Sequence, residues 1–309
     1  MKLFIIGNGF DLAHGIKSRY WNFGEYLQKN YPNFYNDLMA AINYYDGIWS
    51  DFEGDLPMCA TEMESFGLQV SQERLEELDY DPMNDEGMGQ WMNEKLVFIN
   101  QLPEVLREWI QSVDIKKKKV YRSDLFSEQD LFLSFNYTST LEELYKIPAE
   151  KILHIHGSVA NWHEDLIMGH RSTQQIESTT RDYNNAVSEF SDGASAVFQC
   201  VLEFLEKTYK DTSMIIEKNE DFFNSIYGND IEEVVVIGTS LSNIDRPYFE
   251  RIRDEGDFKW SIYYHDSGNT IISEKEKAKA IKFLETLQIP EEKRNVVSSL
   301  QILINSGKI

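Results

Sequence analysis

The sequence predicts an α/β protein with one largely parallel sheet and helices on both of its faces. Leu3 to Ile6 form a short apolar run that ends at Gly7-Asn8-Gly9, which is typical of a buried first strand followed by a tight turn. Further short runs, apolar and rich in β-branched or aromatic residues, follow at 131–135, 152–155, 234–237, 262–264 and 300–304. Because helical stretches separate these runs, the pattern favours a parallel sheet.

Two long segments, 20–125 and 171–230, interrupt the alternation of strands and helices. In the first, Leu102, Leu106 and Trp109 fall at helical spacing, and a similar apolar stripe occurs in the second. We interpret both segments as helical insertions in a single domain that spans residues 1–309.

Composition excludes several classes of function. The chain has 30 basic and 52 acidic residues and a formal charge of −22, which disfavours nucleic-acid binding. Its two cysteines, Cys59 and Cys200, lie 141 positions apart and offer no Cys-x-x-Cys site and no disulfide framework. No apolar run approaches the roughly 20 residues needed to span a bilayer. We therefore expect a reduced, soluble, cytoplasmic protein without a membrane partner.

The first chemically informative segment is GNGFDLAHG at 7–15. A Gly-x-Gly turn after a first strand allows the backbone to approach a pyrophosphate. The dinucleotide fingerprint requires a third glycine where this chain has Leu12, so an ordinary Rossmann dehydrogenase is disfavoured. A purely structural turn is the alternative, although the polar side chains beside the strand (Asn8, Asp11 and His14) argue against it. The residues assigned to cofactor contact here are Gly7, Asn8, Gly9 and Phe10.

Two more polar segments follow predicted strands. Asn136 comes directly after 131–135, and its amide can donate to and accept from a ribose hydroxyl or a carboxamide. Asn136 is equally suited to cap a helix that begins near residue 141. The small-residue loop after 234–237 can hold ribose and phosphate, and Asp245 behind it is also placed to cap a helix. The cofactor contacts assigned to this loop are Gly238, Thr239, Ser240 and Asp245.

Histidines cluster after the strand at 152–155, with four of the six lying between His154 and His170. A histidine with a pKa near neutrality is a natural general base. We expect His156 at the ligand cleft, because Gly157 permits a sharp turn, and His154 more deeply buried with a hydrogen-bond partner. A metal site is an alternative, but no cysteine or spaced acidic partner completes a ligand set, so we expect no metal.

Taken together, these segments resemble those of sirtuins and sirtuin-like NAD-consuming proteins, in the same order along the chain. The amino-acid sequences of these segments are more similar to those of the bacterial AbiH family, which is associated with abortive infection, a defence against bacteriophage. The segments that carry this resemblance are Ile6–Gly15, Trp49–Glu53, Phe135–Thr138, His154–Gly157 and Gly169-His170.

The resemblance implies a sirtuin-like, Rossmann-type fold that binds NAD. It places Gly7 and Gly9 under the pyrophosphate, and Asn136 near the nicotinamide ribose. It also makes His156 the base or the group that orients the ribose. Gly238 and Ser240 would hold the adenosine half. Sirtuin deacetylases carry a four-cysteine zinc module that this chain cannot build, so the resemblance does not extend to protein deacetylation.

Our first functional hypothesis is an abortive-infection effector that hydrolyses NAD at the nicotinamide–ribose bond. His156 would act as base, and Asn136 would hold the ribose or the water. Asp11 and His14 would stabilise the developing charge. Glu53 is a weaker candidate, since Trp49–Glu53 also fits a core tryptophan followed by a helix-capping acid.

Two other hypotheses remain open. In one, the same pocket senses NAD or ADP-ribose without turnover. In the other, the histidine cluster acts with Glu164 or Asp165 as a metal-dependent nuclease, although the charge of −22 argues against this. By analogy with other defence effectors, we expect a phage-derived trigger and a homo-oligomer.

Overall fold

The computed structural model describes residues 1–42, 46–75, 87–161 and 163–303. The described helices are α1 Asn8–Ala13, α2 Tyr20–Asn30, α3 Pro32–Ala41, α4 Phe52–Leu75, α5 Gly87–Ser112, α6 Thr173–Ser188, α7 Asp192–Lys207, α8 Thr212–Lys218, α9 Glu220–Gly228, α10 Arg246–Asp254 and α11 Thr270–Thr286. The described strands are β1 Lys2–Ile6, β2 Leu131–Ser134, β3 Ile152–His154, β4 Glu233–Ile237, β5 Lys259–Tyr264 and β6 Arg294–Ser298.

The strands form one sheet in the order β3-β2-β1-β4-β5-β6, and every neighbouring pair is parallel. This confirms the predicted α/β class and the strands predicted at 3–6, 131–135, 152–155 and 234–237. β1 lies in the centre and pairs with β2 on one side and β4 on the other. From β1 the chain adds β2 and β3 on one side of the sheet and then returns to add β4, β5 and β6 on the other side. The boundary between β1 and β4 is therefore the topological switch point, where ligands bind in open α/β sheets.

Helices cover both faces of this sheet. On one face, Phe4 stacks on Phe132 with ring centroids 5.3 Å apart, and α1 lies over this cluster. On the other face, Phe249 of α10 packs on Trp260 and on Phe283 of α11. Burying a side chain of this size contributes about 1.5–3 kcal/mol. The central strands are thus apolar on both faces, as the continuous apolar runs in the sequence indicate.

The prediction for the last strand is wrong. The sixth strand is β6, whereas Leu300 lies in a 3-10 turn, Ser299–Ile302, and is 50% exposed. Residue 304, the end of the predicted strand, lies outside the described residues. β6 pairs only with β5 and has two apolar residues, Val296 and Val297, so its pattern is weaker than that of the apolar run that follows it.

The chain divides into two compact units. The sheet unit comprises residues 1–18, 110–166 and 211–309, and the helical unit comprises 19–109 and 167–210. The helical unit overlaps the predicted insertions, and their status as parts of a single domain stays a prediction. Of the helices that the structure describes, none is both long and apolar enough to cross a membrane.

An aromatic cluster forms part of the core of the helical unit. Trp49 stacks on Phe52 with ring centroids 5.6 Å apart, and Phe23 meets both rings edge-on. Gly24 lies against the indole, where an added Cβ would come within 2.8 Å of Trp49. The predicted core role of Trp49 is therefore confirmed.

Candidate functional site

The loops after β1 and β4 meet at the switch point through their backbones. Gly7 N–H donates to Ile237 O at 3.0 Å, and Gly9 N–H donates to Gly238 O at 2.7 Å. A Cβ on Gly9 would lie 2.7 Å from Gly238 Cα, and one on Gly7 would lie 2.6 Å from Thr239 Cα. The two glycines thus allow the loops to pack together. Contact between them and a pyrophosphate stays a prediction.

Asn8 and Phe10, the residues beside Gly9, make contacts with other parts of the chain. Asn8 Nδ2 donates to Ser18 O at 2.9 Å, which closes the loop after α1. Phe10 is fully buried and stacks on Tyr121 with ring centroids 5.0 Å apart. Its side chain therefore belongs to the core. In the β4 loop, Ser240 is exposed and Gly238 has φ +71°, a value that favours glycine.

Asp11 is a buried acid on α1, only 1% exposed. Its Oδ2 accepts a hydrogen bond of 2.6 Å from Thr138 Oγ1, which is itself 3.0 Å from Thr140 Oγ1. Burial raises the pKa of Asp11 from its ordinary value of 3.8 to about 6, and the hydrogen bond from Thr138 acts in the opposite direction. Asp11 can therefore gain or lose a proton near neutral pH.

Asn136 points toward the first loop and does not cap a helix. Its Nδ2 donates to Gly7 O at 3.2 Å, whereas the next helical segment is a π-helical turn, Leu141–Tyr145, that has Thr140 as its N-cap residue. The alternative prediction of an Asn136 cap is therefore wrong. Three residues, 137–139, separate Asn136 from Thr140, where the backbone becomes helical.

Three buried polar atoms near the switch point lack a hydrogen-bond partner among the residues that the structure describes. They are Asp11 Oδ1, Asn136 Oδ1 and Thr239 Oγ1. They come from α1 and from the segments after β2 and β4, which follow three neighbouring strands. Buried polar atoms are nearly always satisfied by protein, water or ligand, so this edge of the sheet is suited to a ligand with several polar groups.

His14 is held in a closed network of hydrogen bonds. Its Nδ1 lies 2.7 Å from Phe10 O, a pure acceptor, so Nδ1 carries the proton. Its Nε2 lies 2.9 Å from the hydroxyl of Tyr145, which itself accepts from Tyr121 N–H and therefore donates to the ring. Burial lowers the pKa of His14. The geometry gives His14 a structural role, and its predicted role in charge stabilisation stays untested.

His154 lies at the end of β3, between two hydrogen-bond acceptors. Its Nδ1 lies 2.9 Å from Asn136 O, and its Nε2 lies 2.9 Å from Glu142 Oε1. Both partners are acceptors, so both ring nitrogens carry protons. Burial lowers the pKa of His154, but the hydrogen bond and the charge of Glu142 outweigh it and raise the pKa overall. The expected hydrogen-bond partner of His154 is thus confirmed.

His156 leaves the strand through a turn. Gly157 N–H donates to His154 O at 3.0 Å, and Gly157 has φ +82°. The turn brings the His156 ring onto Phe135, with centroids 5.4 Å apart, and its Nε2 to 3.7 Å from Asp245 Oδ1. The side chain of His156 is 4% exposed and that of His154 is 10% exposed. The expected order of burial is therefore wrong, because the turn folds His156 inward against aromatic rings.

The predicted residues thus form two groups at the carboxyl edge of the sheet. The Asp11 group consists of Asp11, Asn136, Thr138 and Thr140, and the His156 group consists of His156, Phe135, Tyr248 and Asp245. Residues 135 and 136 follow β2 directly; Phe135 stacks on the ring of His156, and Asn136 donates to Gly7 O. The first group offers a titratable acid and an amide, and the second a histidine beside a carboxylate.

Sequence reasoning missed several of these partners. Thr138 lies within the segment Phe135–Thr138, but no role at the site was predicted for it from the sequence. Its hydroxyl, two residues after Asn136, could have been recognised as a further polar group there. The proximity of Asp245 to His156 depends on tertiary structure, and no local pattern indicates it.

Glu53 lies in the helical unit, in the first turn of α4, and forms an ion pair there. Its Oε2 lies 3.2 Å from Lys210 Nζ and accepts from Gly169 N–H at 3.3 Å, while Tyr20 OH donates to Oε1. Lys210 is 1% exposed. Two segments of the resemblance, Trp49–Glu53 and Gly169-His170, are thus joined by the hydrogen bond from Gly169 to Glu53. The ion pair between Glu53 and Lys210 lies beside it, and the sequence did not indicate that pair.

The histidines considered for a metal site have other partners. His170 Nε2 lies 3.1 Å from Leu205 O, and its Nδ1 accepts from Ser172 N–H at 3.0 Å, so the ring is fixed as a neutral tautomer. Among the side chains that the structure describes, no group of three or more His, Cys, Asp or Glu residues could hold a metal ion.

Comparison with known proteins identifies a family. The family model described as bacteriophage abortive infection AbiH matches residues 3–264, which is most of the chain. No curated protein matches this chain at a significant level.

Proposed function

Because the chain belongs to the AbiH family of bacteriophage abortive infection, we propose that it is a defence effector that binds NAD and hydrolyses its nicotinamide–ribose bond. The observation that carries this proposal is the set of three unpartnered buried polar atoms, on Asp11, Asn136 and Thr239, around the switch point of a Rossmann-like sheet. A dinucleotide lies across this edge in the fold class, and its hydroxyl groups can donate to such atoms.

The proposed reaction assigns His156 as general base. His156 takes a proton from water, the water oxygen bonds to C1 of the ribose, and the C–N bond breaks. The electron pair of that bond goes to the nicotinamide ring, which is cationic in NAD and leaves neutral. A positioned base supplies about 10²–10⁴-fold in rate. Asn136 holds the ribose, and the ionised form of Asp11 stabilises the positive charge that develops on it.

The experiment measures free nicotinamide after the purified full chain is incubated with NAD, with and without phage lysate as a source of trigger. His156→Gln is the informative variant, because His156→Ala would leave a cavity between Phe135 and Tyr248 and confuse folding with chemistry. We expect the wild type to release nicotinamide and His156→Gln to lose at least about 100-fold of that rate, with an unchanged circular dichroism spectrum.

Other outcomes of this assay decide between the alternatives. Tight binding of NAD or ADP-ribose without nicotinamide release under any trigger would replace hydrolysis by a sensing role. Nuclease activity that is lost on chelation would instead favour the metal-dependent reaction. Undiminished NAD cleavage by His156→Gln would refute the assignment of His156. A phage-derived trigger and assembly into a homo-oligomer are parts of the same proposal.

A further inference from the structure

A carboxylate faces the imidazole of His156 from a different element of the sheet unit. Asp245 lies directly before α10, and its Oδ1 is 3.7 Å from His156 Nε2. The side chains of His156 and Asp245 are 4% and 17% exposed, so little water screens the pair. At this distance, attraction between a carboxylate and an imidazolium favours the protonated ring.

The carboxylate of Asp245 is not used to cap α10. Asp245 occupies the N-cap position, yet its side chain makes no capping hydrogen bond, and Pro247 lies in the first turn of the helix. Its other oxygen, Oδ2, accepts from Ser242 Oγ at 3.5 Å, so the loop after β4 orients the group. One carboxylate oxygen therefore faces the loop and the other faces His156.

The surroundings of the ring restrict its motion. Phe135 stacks on it at 21° between ring planes, and Tyr248 of α10 packs against it with centroids 5.6 Å apart. The Asp245 carboxylate and the Tyr248 phenol face His156 from the start of α10, and the neutral ring of Phe135 faces it from the segment after β2.

We infer that Asp245 is a positioning residue for His156, which orients the imidazole and stabilises the imidazolium that forms when His156 accepts a proton. The catalytic consequence rests on the proposed function, but the electrostatic coupling of the two side chains does not. When His156 takes a proton from water, the positive charge appears next to an existing negative charge. The proton-bound intermediate is thereby stabilised relative to the neutral ring.

The coupling is measured by NMR titration of the full chain labelled with ¹⁵N-histidine, in which His156→Gln identifies the His156 signal. Asp245→Asn should lower the pKa of His156 by about 1 unit. Asp245→Glu, which keeps the charge, should leave it within a few tenths of a unit. Glu250→Gln is the matched control, because it removes a carboxylate of α10 that forms an ion pair with Arg246. This variant should leave the pKa of His156 unchanged.

Enzyme assays give the second readout. Relative to the active wild type, Asp245→Asn should lower kcat about 10–100-fold with little change in KM. The acidic limb of its pH profile should move to lower pH, together with the pKa of His156. An unchanged pKa in Asp245→Asn would overturn the inference whatever the activity. A lowered pKa in a protein that never cleaves NAD would support the coupling and reject the proposed function, so the two failures are distinguishable.

Discussion

Replacing Gly9 by alanine tests a close backbone contact in the protein's proposed site. The new Cβ would lie 2.7 Å from Gly238 Cα and 2.9 Å from Gly238 O, which is shorter than real Cβ contacts. Both neighbouring atoms are backbone, so neither can rotate away. The loops after β1 and β4 must separate, and the 2.7 Å hydrogen bond from Gly9 N–H to Gly238 O must lengthen.

The expected loss in the free energy of unfolding has two parts. Overpacking at a close contact costs about 1–3 kcal/mol, and weakening a backbone hydrogen bond costs about 1 kcal/mol more. Gly9→Ala should therefore destabilise the protein by about 2–4 kcal/mol. Gly228→Ala is the matched control, since an added Cβ there meets nothing within 4 Å among the described residues and the position lies at the end of α9. It should be neutral, or stabilising by up to about 1 kcal/mol.

The assay is urea unfolding followed by circular dichroism, because a fall in the midpoint at constant slope reports stability alone. Gly9→Ala should show such a fall and Gly228→Ala should not. If Gly9→Ala unfolded at the wild-type midpoint, the packing argument would be refuted. A variant that kept its stability and lost only NAD binding would instead show that the glycine is required by the pyrophosphate.

Two further predictions concern buried charges. Glu53→Gln removes the carboxylate that lies 3.2 Å from the buried ammonium of Lys210 and should cost about 3–5 kcal/mol of stability; the double variant with Lys210→Met should recover most of it, and a fully additive double variant would contradict this reasoning. Because the pKa of Asp11 is raised from 3.8 to about 6, folded Asp11 holds its proton more tightly, so its contribution to stability falls as pH rises through that window. In urea unfolding, the stability of the wild type relative to Asp11→Asn should therefore drop by about 1 kcal/mol between about pH 5 and about pH 7, and a difference independent of pH would exclude the raised pKa.

Much of the sheet was predictable because its central strands are buried on both faces. Such strands read as continuous apolar runs, and β1 and β4 are examples. The edge strand β6 is half-buried along its length, so its composition carries little signal, and the more apolar run after it was the wrong choice. Local pattern therefore identified the strands whose burial is complete and failed where burial is partial.

The placement of the candidate residues at one edge of the sheet was predictable, whereas their contacts were less so. The polar residues Asp11, Asn136 and His156 follow predicted strands, and parallel strands bring their carboxyl ends to one edge. The partners of these residues depend on how the loops turn. The His154–Gly157 turn folds His156 inward toward Asp245, and no periodicity in the sequence encodes that contact.

The position of β1 in the sheet has a consequence for synthesis on the ribosome. β1 is translated first, yet its partner β4 follows about 230 residues later. At roughly 5–20 residues per second, β4 emerges about 10–50 s after β1, so the central strand waits with one edge unpaired. The glycine contact between the two loops forms only after that delay. A chain cut short before β4 therefore has no assembled switch point, and the proposed activity is confined to molecules whose synthesis has passed that strand.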